Sequence, residues 1–370
     1  MNISFFIPTL GAGGAERVAS LLCNQWVRQG HSVNMVTLQS IEEEVCYPLD
    51  ERIVCKHLDL MRPSLSFLET VINNLIRILS LSRALRQTRP DVVVSFLTEM
   101  NVNAIIASRM AGVPIVVSER IHPQFHRVGW FREMLRKFTY PKANCVVVQT
   151  RDIQRWFTEK IGIKTELMPN PVDLVQFSSS ELPSTKRIVS VGRLVDQKAH
   201  EVQIKAFSLV AGRYPDWTLH IYGEGDMCGR LLKLIEELGL EGRVYLEGRT
   251  DKVADVLRQS EIYAHSARYE GFPNAIVEAC AVGRCVVATN APGATGELVS
   301  DMRAGILSPV DDVPAFANNL DTFLASKAMR HSYGQNAKSA VEALDVDAIA
   351  ARWIDVLERQ CIQNRDVFIS

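Results

Sequence analysis

Short runs of β-branched residues alternate with helical patterns along the first 150 residues of the chain. These runs lie at 3–7, 33–38, 92–96, 114–118 and 145–149. Apolar runs of this length between amphipathic helices are typical of buried parallel strands in a βαβ series. A second series of such runs lies at 187–191, 217–222, 243–247, 261–264, 285–288 and 305–308. The sequence therefore predicts two doubly wound α/β domains of the Rossmann-like kind.

The boundary between the two series is marked by a change in composition. Around 168–183 the chain reads Pro-Asn-Pro-Val-Asp and then Ser-Ser-Ser-Glu-Leu-Pro-Ser, which is typical of a linker. We predict an N-terminal domain at 1–170, a linker at 171–186, a C-terminal domain at 187–345, and a final helix and tail at 346–370. That helix could pack back on the N-terminal domain. Ligands of such sheets bind outside the carboxyl ends of the strands, so we expect a site in a cleft between the domains.

Charge and cysteine content narrow the range of functions. The net charge of 370 residues is −1, so no overall field favours nucleic acid or an anionic membrane. The 8 cysteines show no Cys-x-x-Cys spacing, which indicates core residues in a reducing cytoplasm. We find no signal peptide pattern and no apolar run near the roughly 20 residues that span a bilayer. We therefore expect a cytoplasmic, globular protein that does not bind nucleic acid.

Glycines follow the first predicted strand, in the stretch Pro-Thr-Leu-Gly-Ala-Gly-Gly-Ala-Glu-Arg. Gly11, Gly13 and Gly14 permit close approach of the backbone to a ligand, and the next helix offers its positive N-terminal end. The stretch is either a substrate loop or a tight βα turn. A dinucleotide fold would need a third glycine where Glu16 stands and an acid after the second strand, where Gln39 stands. Nicotinamide cofactors are therefore disfavoured.

Two cations open the second domain, in the stretch Val-Ser-Val-Gly-Arg-Leu-Val-Asp-Gln-Lys. Gly192 ends a strand, Arg193 follows it, and Lys198 stands at the start of a helix. Two fixed cations beside a helix N-terminus can hold a diphosphate without a metal ion. The alternative is a pair of solvated surface cations. Gly223 ends the next strand at the same rim.

Two carboxylates follow in the stretch Arg-Tyr-Glu-Gly-Phe-Pro-Asn-Ala-Ile-Val-Glu. Pro273 suits a helix entrance, so Glu270 lies in the preceding loop and Glu278 lies just over one turn into the helix. The two carboxylates and the helix N–H groups would then face one small volume. That volume suits a ligand with hydroxyls and negative charge, such as a nucleotide sugar. Two solvated carboxylates are the alternative for this spacing taken alone.

The order of these motifs resembles a known family. The chain reads Gly-Ala-Gly-Gly-Ala-Glu near its start, Asn-Pro-Val-Asp at 170–173, Gly-Arg-Leu…Gln-Lys at 192–198 and Glu-Gly-Phe-Pro…Glu at 270–278. This order resembles the family 4 retaining glycosyltransferases of the GT-B fold, of the bacterial surface-polysaccharide type, over nearly the whole chain. The resemblance implies two Rossmann-like domains facing across a cleft, with the donor held mainly by the second. It also implies transfer without a metal ion or other cofactor.

The resemblance further implies a role for each matching residue. Arg193 and Lys198 would bind the donor diphosphate and stabilise its departure, a step in which one preorganised donor is worth about 3 kcal/mol. Glu278 would accept hydrogen bonds from the ribose, and Glu270 would contact the transferred sugar. Further contacts to the donor or its pocket would come from Gly13, Gly14, Gly192, Gly223, Gly271, Phe272 and Asn274.

The acceptor half departs from the family pattern. Many relatives carry a histidine near the end of the fourth strand, where this chain reads Val-Val-Ser-Glu-Arg-Ile-His-Pro. Arg120 stands at the matching position and His122 follows two residues later. Either could fill the catalytic position, and Glu119 is a further polar candidate. His122 and His126 have the spacing of helical metal ligands, but without a third ligand nearby a metal site is disfavoured.

The segment 120–142 is basic and aromatic within a nearly neutral chain. Such a mixture suits a bilayer surface and the diphosphate of a lipid-linked acceptor, and the amphipathic segment 65–89 could extend the same face. An ordinary helix with buried aromatics is the alternative. We predict transfer of a hexose or N-acetylhexosamine from a nucleotide sugar, with UDP favoured. The expected acceptor is a polyprenyl-diphosphate-linked oligosaccharide at the inner face of the cytoplasmic membrane, as in O-antigen or capsule assembly.

Two other functions fit the same architecture. One is a sugar-nucleotide epimerase, and the other is a non-catalytic module that binds a sugar nucleotide or a membrane. The motif at 270–278 together with Arg193 and Lys198 disfavours the epimerase.

Overall fold

The computed structural model describes residues 1–62, 66–124, 129–178 and 185–369. The chain divides into two compact units. Unit 1 comprises Met1–Pro171 and Val346–Ser370, and unit 2 comprises Val172–Asp345. Each unit contains one parallel β-sheet. The two sheets confirm the doubly wound α/β architecture that the alternating runs predict.

Unit 1 is built on a seven-stranded sheet of order β3-β2-β1-β4-β5-β6-β7. Its strands are β1 (Asn2–Ile7), β2 (Ser32–Thr37), β3 (Val54–His57), β4 (Val92–Phe96), β5 (Ile115–Ser118), β6 (Cys145–Val148) and β7 (Glu166–Leu167). Five helices follow strands of this sheet: α1 (Gly14–Arg28), α2 (Phe67–Thr88), α3 (Thr98–Ala111), α4 (Trp130–Thr139) and α5 (Arg151–Lys160). The central strand β4 is buried along its whole length, as expected of a parallel sheet covered on both faces.

Unit 2 is built on a six-stranded sheet of order β10-β9-β8-β11-β12-β13. Its strands are β8 (Arg187–Val191), β9 (Thr218–Tyr222), β10 (Val244–Gly248), β11 (Ile262–His265), β12 (Cys285–Thr289) and β13 (Gly305–Ser308). Its helices are α6 (Leu174–Phe177), α7 (His200–Val210), α8 (Cys228–Glu237), α9 (Val253–Arg258), α10 (Asn274–Val282), α11 (Thr295–Asp301), α12 (Val313–Ala325) and α13 (Lys327–Val341). Phe207 of α7 and Phe316 of α12 are fully buried against this sheet.

The last helix, α14 (Val346–Ile369), completes the core of unit 1. Trp353 is fully buried, with its ring centroid 6.2 Å from that of Trp26 and 5.8 Å from that of Phe96. The indole N–H of Trp26 donates to the Ala350 carbonyl at 3.3 Å. Large aromatic side chains contribute strongly to a core, so the C-terminal segment is an integral part of unit 1.

The region predicted as a linker is divided differently in the structure. Val172–Phe177 belongs to unit 2, because Val172 forms a parallel bridge with Asp345 and α6 contacts α10. The chain thus passes between the units at 171–172 and again at 345–346. Residues 179–184 of the predicted linker lie outside the described residues.

Among the described residues, none of the helices combines the length and the apolar character needed to cross a bilayer.

Candidate functional site

The carboxyl ends of β8 and β9 carry loops that touch each other backbone to backbone. A Cβ atom at Gly223 would lie 1.9 Å from the Gly192 carbonyl oxygen, and one at Gly225 would lie 2.2 Å from that of Leu194. Only glycine fits at such contacts. Gly192 donates its N–H to the Tyr222 carbonyl at 2.9 Å, and a Cβ there would be 3.4 Å from Lys198 Cε. These glycines therefore shape the rim on which Lys198 lies.

Lys198 and Glu270 form a salt bridge at this rim, although 72 residues separate them. Glu270 is only 6% exposed, and His265 Nε2 lies 3.1 Å from the same carboxylate oxygen. Burial acts to raise the pKa of Glu270, but Lys198 and then His265 outweigh it and lower that pKa to about 2. Glu270 is therefore ionised, with Oε1 directed at Lys198.

Two buried histidines lie beside this pair. Burial lowers the pKa of His265, and it lowers the pKa of His200 to about 4. His200 Nε2 lies 3.2 Å from the Arg193 carbonyl oxygen, while Gln203 Nε2 lies 2.6 Å from His200 Nδ1. Both contacts are satisfied by a neutral ring protonated on Nε2. The surroundings of Lys198 therefore carry no further positive charge from histidine at neutral pH.

Arg193 differs from Lys198 in its surroundings. Its side chain is exposed, and no other described residue holds its guanidinium by a hydrogen bond or salt bridge. Lys198, by contrast, is mostly buried and neutralised by Glu270. The two predicted diphosphate ligands thus stand at the same rim as one free and one paired cation.

Glu278 lies on α10, just over one turn from its first residue, and is buried. Burial raises the pKa of Tyr263, and the negative charges of Glu278 and Glu270 raise it further. Both carboxylates therefore lie within electrostatic reach of one phenol, whose hydroxyl is 3.3 Å from the Val191 carbonyl oxygen. The structure brings Glu270, Glu278 and the end of β8 to one place, as the sequence predicts.

The loop that carries Glu270 packs against the backbone of Gly293. Glu270 N–H donates to the Pro292 carbonyl at 3.0 Å, and a Cβ at Gly293 would lie 1.7 Å from the Glu270 carbonyl oxygen. Gly293 also has φ +103°, a conformation that favours glycine. Gly271 and Phe272 follow at the entrance of α10. The N–H of Asn274, at the start of α10, donates to the Phe272 carbonyl at 3.0 Å.

Arg268 fixes the loop that carries Lys198, a role that the sequence analysis missed. Its guanidinium contacts Asp196 at 3.0 Å, Glu201 at 2.7 Å and Asp311 at 3.0 Å. Its backbone N–H donates to the Gln197 carbonyl at 2.8 Å. Burial opposes the charge, but Asp311 and Glu201 together raise the pKa of Arg268. An arginine two residues before Glu270 was the available signal in the sequence.

In unit 1, Arg120 is a buried cation that no described residue neutralises through a salt bridge. It is 6% exposed, donates to Asn170 Oδ1 at 2.7 Å and to Ser118 Oγ at 3.3 Å, and lies 4.2 Å from the ring centroid of Phe96. Burial lowers its pKa to about 9, with Glu16 opposing this shift. Arg120 remains charged at neutral pH, and its Nε has no hydrogen-bond partner among the described residues.

The glycine loop of unit 1 is closed by Glu16. A Cβ at Gly13 would lie 2.0 Å from the Glu16 carboxylate, which accepts a hydrogen bond from Thr9 Oγ1 at 3.1 Å. Helix α1 begins at Gly14, so Glu16 lies in its first turn. A negative charge at that helix start disfavours a pyrophosphate there.

The other two acceptor-side candidates are tied to neighbours. His122 is buried, its Nε2 lies 3.1 Å from Asp152 Oδ2, and its Nδ1 accepts from Gln124 N–H at 3.2 Å. Burial lowers the pKa of His122, with Asp152 opposing the shift. Glu119 is part of the interior, because it accepts from Thr98 Oγ1 at 2.7 Å and from Tyr140 OH at 2.9 Å.

The basic and aromatic segment is only partly a surface. Arg136 is fully buried, with its Nε 3.5 Å from Glu119, and Tyr140 is buried beside it. The segment was expected either at a membrane surface or as an ordinary helix with buried aromatics and solvated cations; Tyr140 follows the second alternative, whereas Arg136 is a buried cation beside the Glu119 carboxylate. Phe138 is 63% exposed. Residues 125–128, which include His126, lie outside the described residues, and within those described no cluster of three or more metal-ligating side chains occurs.

Comparisons with known proteins give a consistent set of similarities. The family model "Glycosyl transferase 4-like domain" matches residues 13–171, and "Glycosyl transferases group 1" matches 174–340. The chain is 28% identical to a Campylobacter jejuni N-acetylgalactosamine-N,N'-diacetylbacillosaminyl-diphospho-undecaprenol 4-alpha-N-acetylgalactosaminyltransferase, over 94% of this chain and 97% of that protein. It is 24% identical to an amylovoran biosynthesis glycosyltransferase of Erwinia amylovora, over 94% and 96% of the two chains.

Solved structures share the fold. A sucrose-phosphate synthase from Thermosynechococcus elongatus has a TM-score of 0.83 at 18% identity, covering 98% of this chain and 99% of its own. The Anabaena protein HepE in complex with UDP has a TM-score of 0.80 at 20% identity, covering 97% of this chain and 100% of its own.

Proposed function

Because this chain belongs to the family 4 glycosyltransferases of the GT-B fold, of the surface-polysaccharide type, we propose a specific transfer reaction for it. The donor is a UDP-linked hexose or N-acetylhexosamine, and the acceptor is a polyprenyl-diphosphate-linked glycan. The relative from Campylobacter jejuni is named for an acceptor of that kind, and HepE was solved with UDP. Transfer proceeds with retention at the anomeric carbon, and the protein works at the inner face of the cytoplasmic membrane.

The observation that carries the donor assignment is the geometry of Glu270. Its Oε1 is engaged by Lys198, whereas no described residue donates to Oε2. An ionised carboxylate offers about four acceptor sites, so Oε2 is free to accept from a sugar hydroxyl. Lys198 and the exposed Arg193 then face the diphosphate. As that group leaves, its negative charge grows, and the two cations stabilise it in place of a metal ion.

On the acceptor side, we assign the charged role to Arg120 rather than to His122. Arg120 keeps its positive charge at neutral pH and has an unpartnered Nε, while His122 is neutral and tied to Asp152. A positive group is the one that stabilises a departing diphosphate. In this proposal the leaving phosphate itself takes the acceptor proton, so no side chain needs to act as general base.

The test is a mass-spectrometric screen of nucleotide sugars with a polyprenyl-diphosphate-linked acceptor, in buffer with and without EDTA. We expect a mass gain of one hexose or N-acetylhexosamine, no effect of EDTA, and a product α-anomer for an α-linked donor by NMR. Glu270→Ala and Lys198→Ala should each lower the rate at least 100-fold. Undiminished transfer by both variants contradicts the site, and an epimerised nucleotide sugar without transfer supports the epimerase.

A further inference from the structure

A cavity of about 700 Å³ lies within unit 1, between α2, α3 and α4. Pro8 and Leu38, which follow β1 and β2, form part of its wall, so it opens at the ligand-binding edge of the sheet. Leu75, Ile78 and Ile106 line it with apolar surface. Its size is that of a pocket for a small ligand. None of the residues discussed in the donor site belongs to it.

An apolar surface continues from the mouth of this cavity along α2. The first half of that helix exposes large apolar side chains at helical spacing, a set we call the α2 apolar face: Leu68, Val71, Ile72, Leu75, Ile76 and Leu79. Leu68 is 68% exposed and Leu75 is 54% exposed. Val71 and Leu75 belong both to the face and to the cavity wall. Exposed apolar patches of this kind mark binding sites for apolar ligands or membranes.

Three arginines also line the cavity: Arg62, Arg77 and Arg132. Arg77 is held in place, because its Nε and one terminal nitrogen donate to the Leu60 carbonyl at 3.1 and 3.0 Å. Burial lowers the pKa of Arg77, Glu99 raises it, and the positive charge of Arg132 lowers it further. Arg77 and Arg132 are therefore near enough to repel each other, and the Glu99 carboxylate that pairs with Arg132 balances only one of them. The cavity offers an excess of positive charge to an anion.

We propose that this cavity and the α2 apolar face together bind the isoprenoid diphosphate of a lipid carrier, a site that deepens the proposed function and rests on it. The diphosphate lies among Arg62, Arg77 and Arg132, and the isoprenoid chain lies along the α2 apolar face. An amphipathic anion matches both surfaces at once. A second copy of the chain does not, since a two-fold contact through this face would place the same arginines against each other.

The binding test uses the full chain with geranylgeranyl diphosphate, in saturating UDP so that the donor site takes up no diphosphate. Geranylgeraniol lacks the anionic head and inorganic pyrophosphate lacks the chain, so each should bind at least tenfold more weakly. Loss of one charge-assisted contact predicts about 10- to 100-fold weaker binding for Arg77→Met and Arg132→Met. Arg83→Met removes an exposed arginine of the same helix outside the cavity, and it should bind within twofold of the unchanged protein.

Leu75→Ser tests the apolar half and should weaken the lipid diphosphate while leaving pyrophosphate unchanged. Thermal melting of each variant separates a binding defect from loss of fold. If Arg77→Met unfolds, Arg132→Met still tests the site, because the Arg132 side chain is exposed and its replacement should leave the fold intact. Equal affinity of all three arginine variants overturns the site. So does a dimer that Leu75→Ser dissociates without any lipid binding.

The outcomes also separate this site from the proposed function. Lipid binding that Arg77→Met weakens, without glycosyl transfer to any lipid-linked acceptor, supports the site and contradicts the function. Transfer to a lipid-linked acceptor with the same KM in Arg77→Met, Arg132→Met and Arg83→Met supports the function and contradicts the site.

Discussion

Replacing Lys198 by methionine leaves the Glu270 carboxylate buried without its cation. In the intact protein the pKa of Glu270 is about 2, against an ordinary value of 4.5. That difference corresponds to about 3 kcal/mol of folding free energy at neutral pH. Because the folded pKa is the lower one, this contribution is complete above pH 4.5 and is lost as the pH falls toward 2. Lys198 is the largest influence that opposes burial, so its removal raises the pKa of Glu270 from about 2.

We therefore expect Lys198→Met to destabilise the protein by about 3 kcal/mol at pH 7, in the range found when one partner of a buried pair is removed. The variant should regain part of this loss as the pH falls, since removal of Lys198 raises the pKa of the buried carboxyl, which then takes up a proton at a higher pH than in the intact protein. Urea unfolding followed by circular dichroism measures both values. Lys205→Met is the matched control, because Lys205 is an exposed lysine of α7, seven residues away.

The double variant Lys198→Met with Glu270→Gln decides whether the pair is the cause. If the buried charge is responsible, the double variant is more stable than Lys198→Met alone, with a coupling free energy above about 1.5 kcal/mol. Equal urea midpoints for Lys198→Met and Lys205→Met at pH 7 would refute the argument. So would a double variant that shows the sum of the two single effects.

Three further changes test separate parts of the structure. Gly293→Ala should lower the melting temperature by several degrees and reduce transfer, because its Cβ meets the Glu270 carbonyl; Gly212→Ala, with no atom within 4 Å, is the control in the same melting assay. The intact protein should lose stability as the pH falls from 6.5 to 4, since the folded pKa of His200, about 4, lies below the unfolded one. His200→Asn should remove this part of the pH dependence, which urea midpoints across that range measure. In Glu270→Gln, Lys198 loses its counter-charge, so the variant should bind UDP at least as tightly as the unchanged protein in calorimetry, while kcat falls at least 100-fold. Weaker UDP binding would contradict this.

The sequence predicted the strands well because most are buried apolar runs. Every predicted run coincides with a strand to within about one residue, but the two edge strands of the first sheet, β3 and β7, were missed. Val54, Cys55 and Lys56 of β3 are exposed, and β7 has only two residues, so neither forms an apolar run. Short edge strands carry no continuous apolar signal, so period and composition do not reveal them.

The side-chain pairings within the candidate site could not be predicted from the sequence. Glu270 and Lys198 were assigned separate partners, yet the fold pairs them across 72 residues. His265 and Gly293 went unnoticed because their importance depends on which strands are neighbours, here β11 beside β12. Sequence spacing reports contacts within a helix or turn, whereas contacts between loops depend on sheet order.

The chain passes between the two units twice, and this has a consequence for synthesis on the ribosome. Unit 2 is a continuous stretch, Val172–Asp345, while unit 1 is formed by the segments on either side of it. Trp26 and Phe96 lack their buried neighbour Trp353 until α14 has left the exit tunnel. Unit 2 can therefore reach its native state first, while the incomplete unit 1 still exposes part of its core to solvent. A nonsense mutation just before codon 346 should thus damage the part of unit 1 that is encoded first.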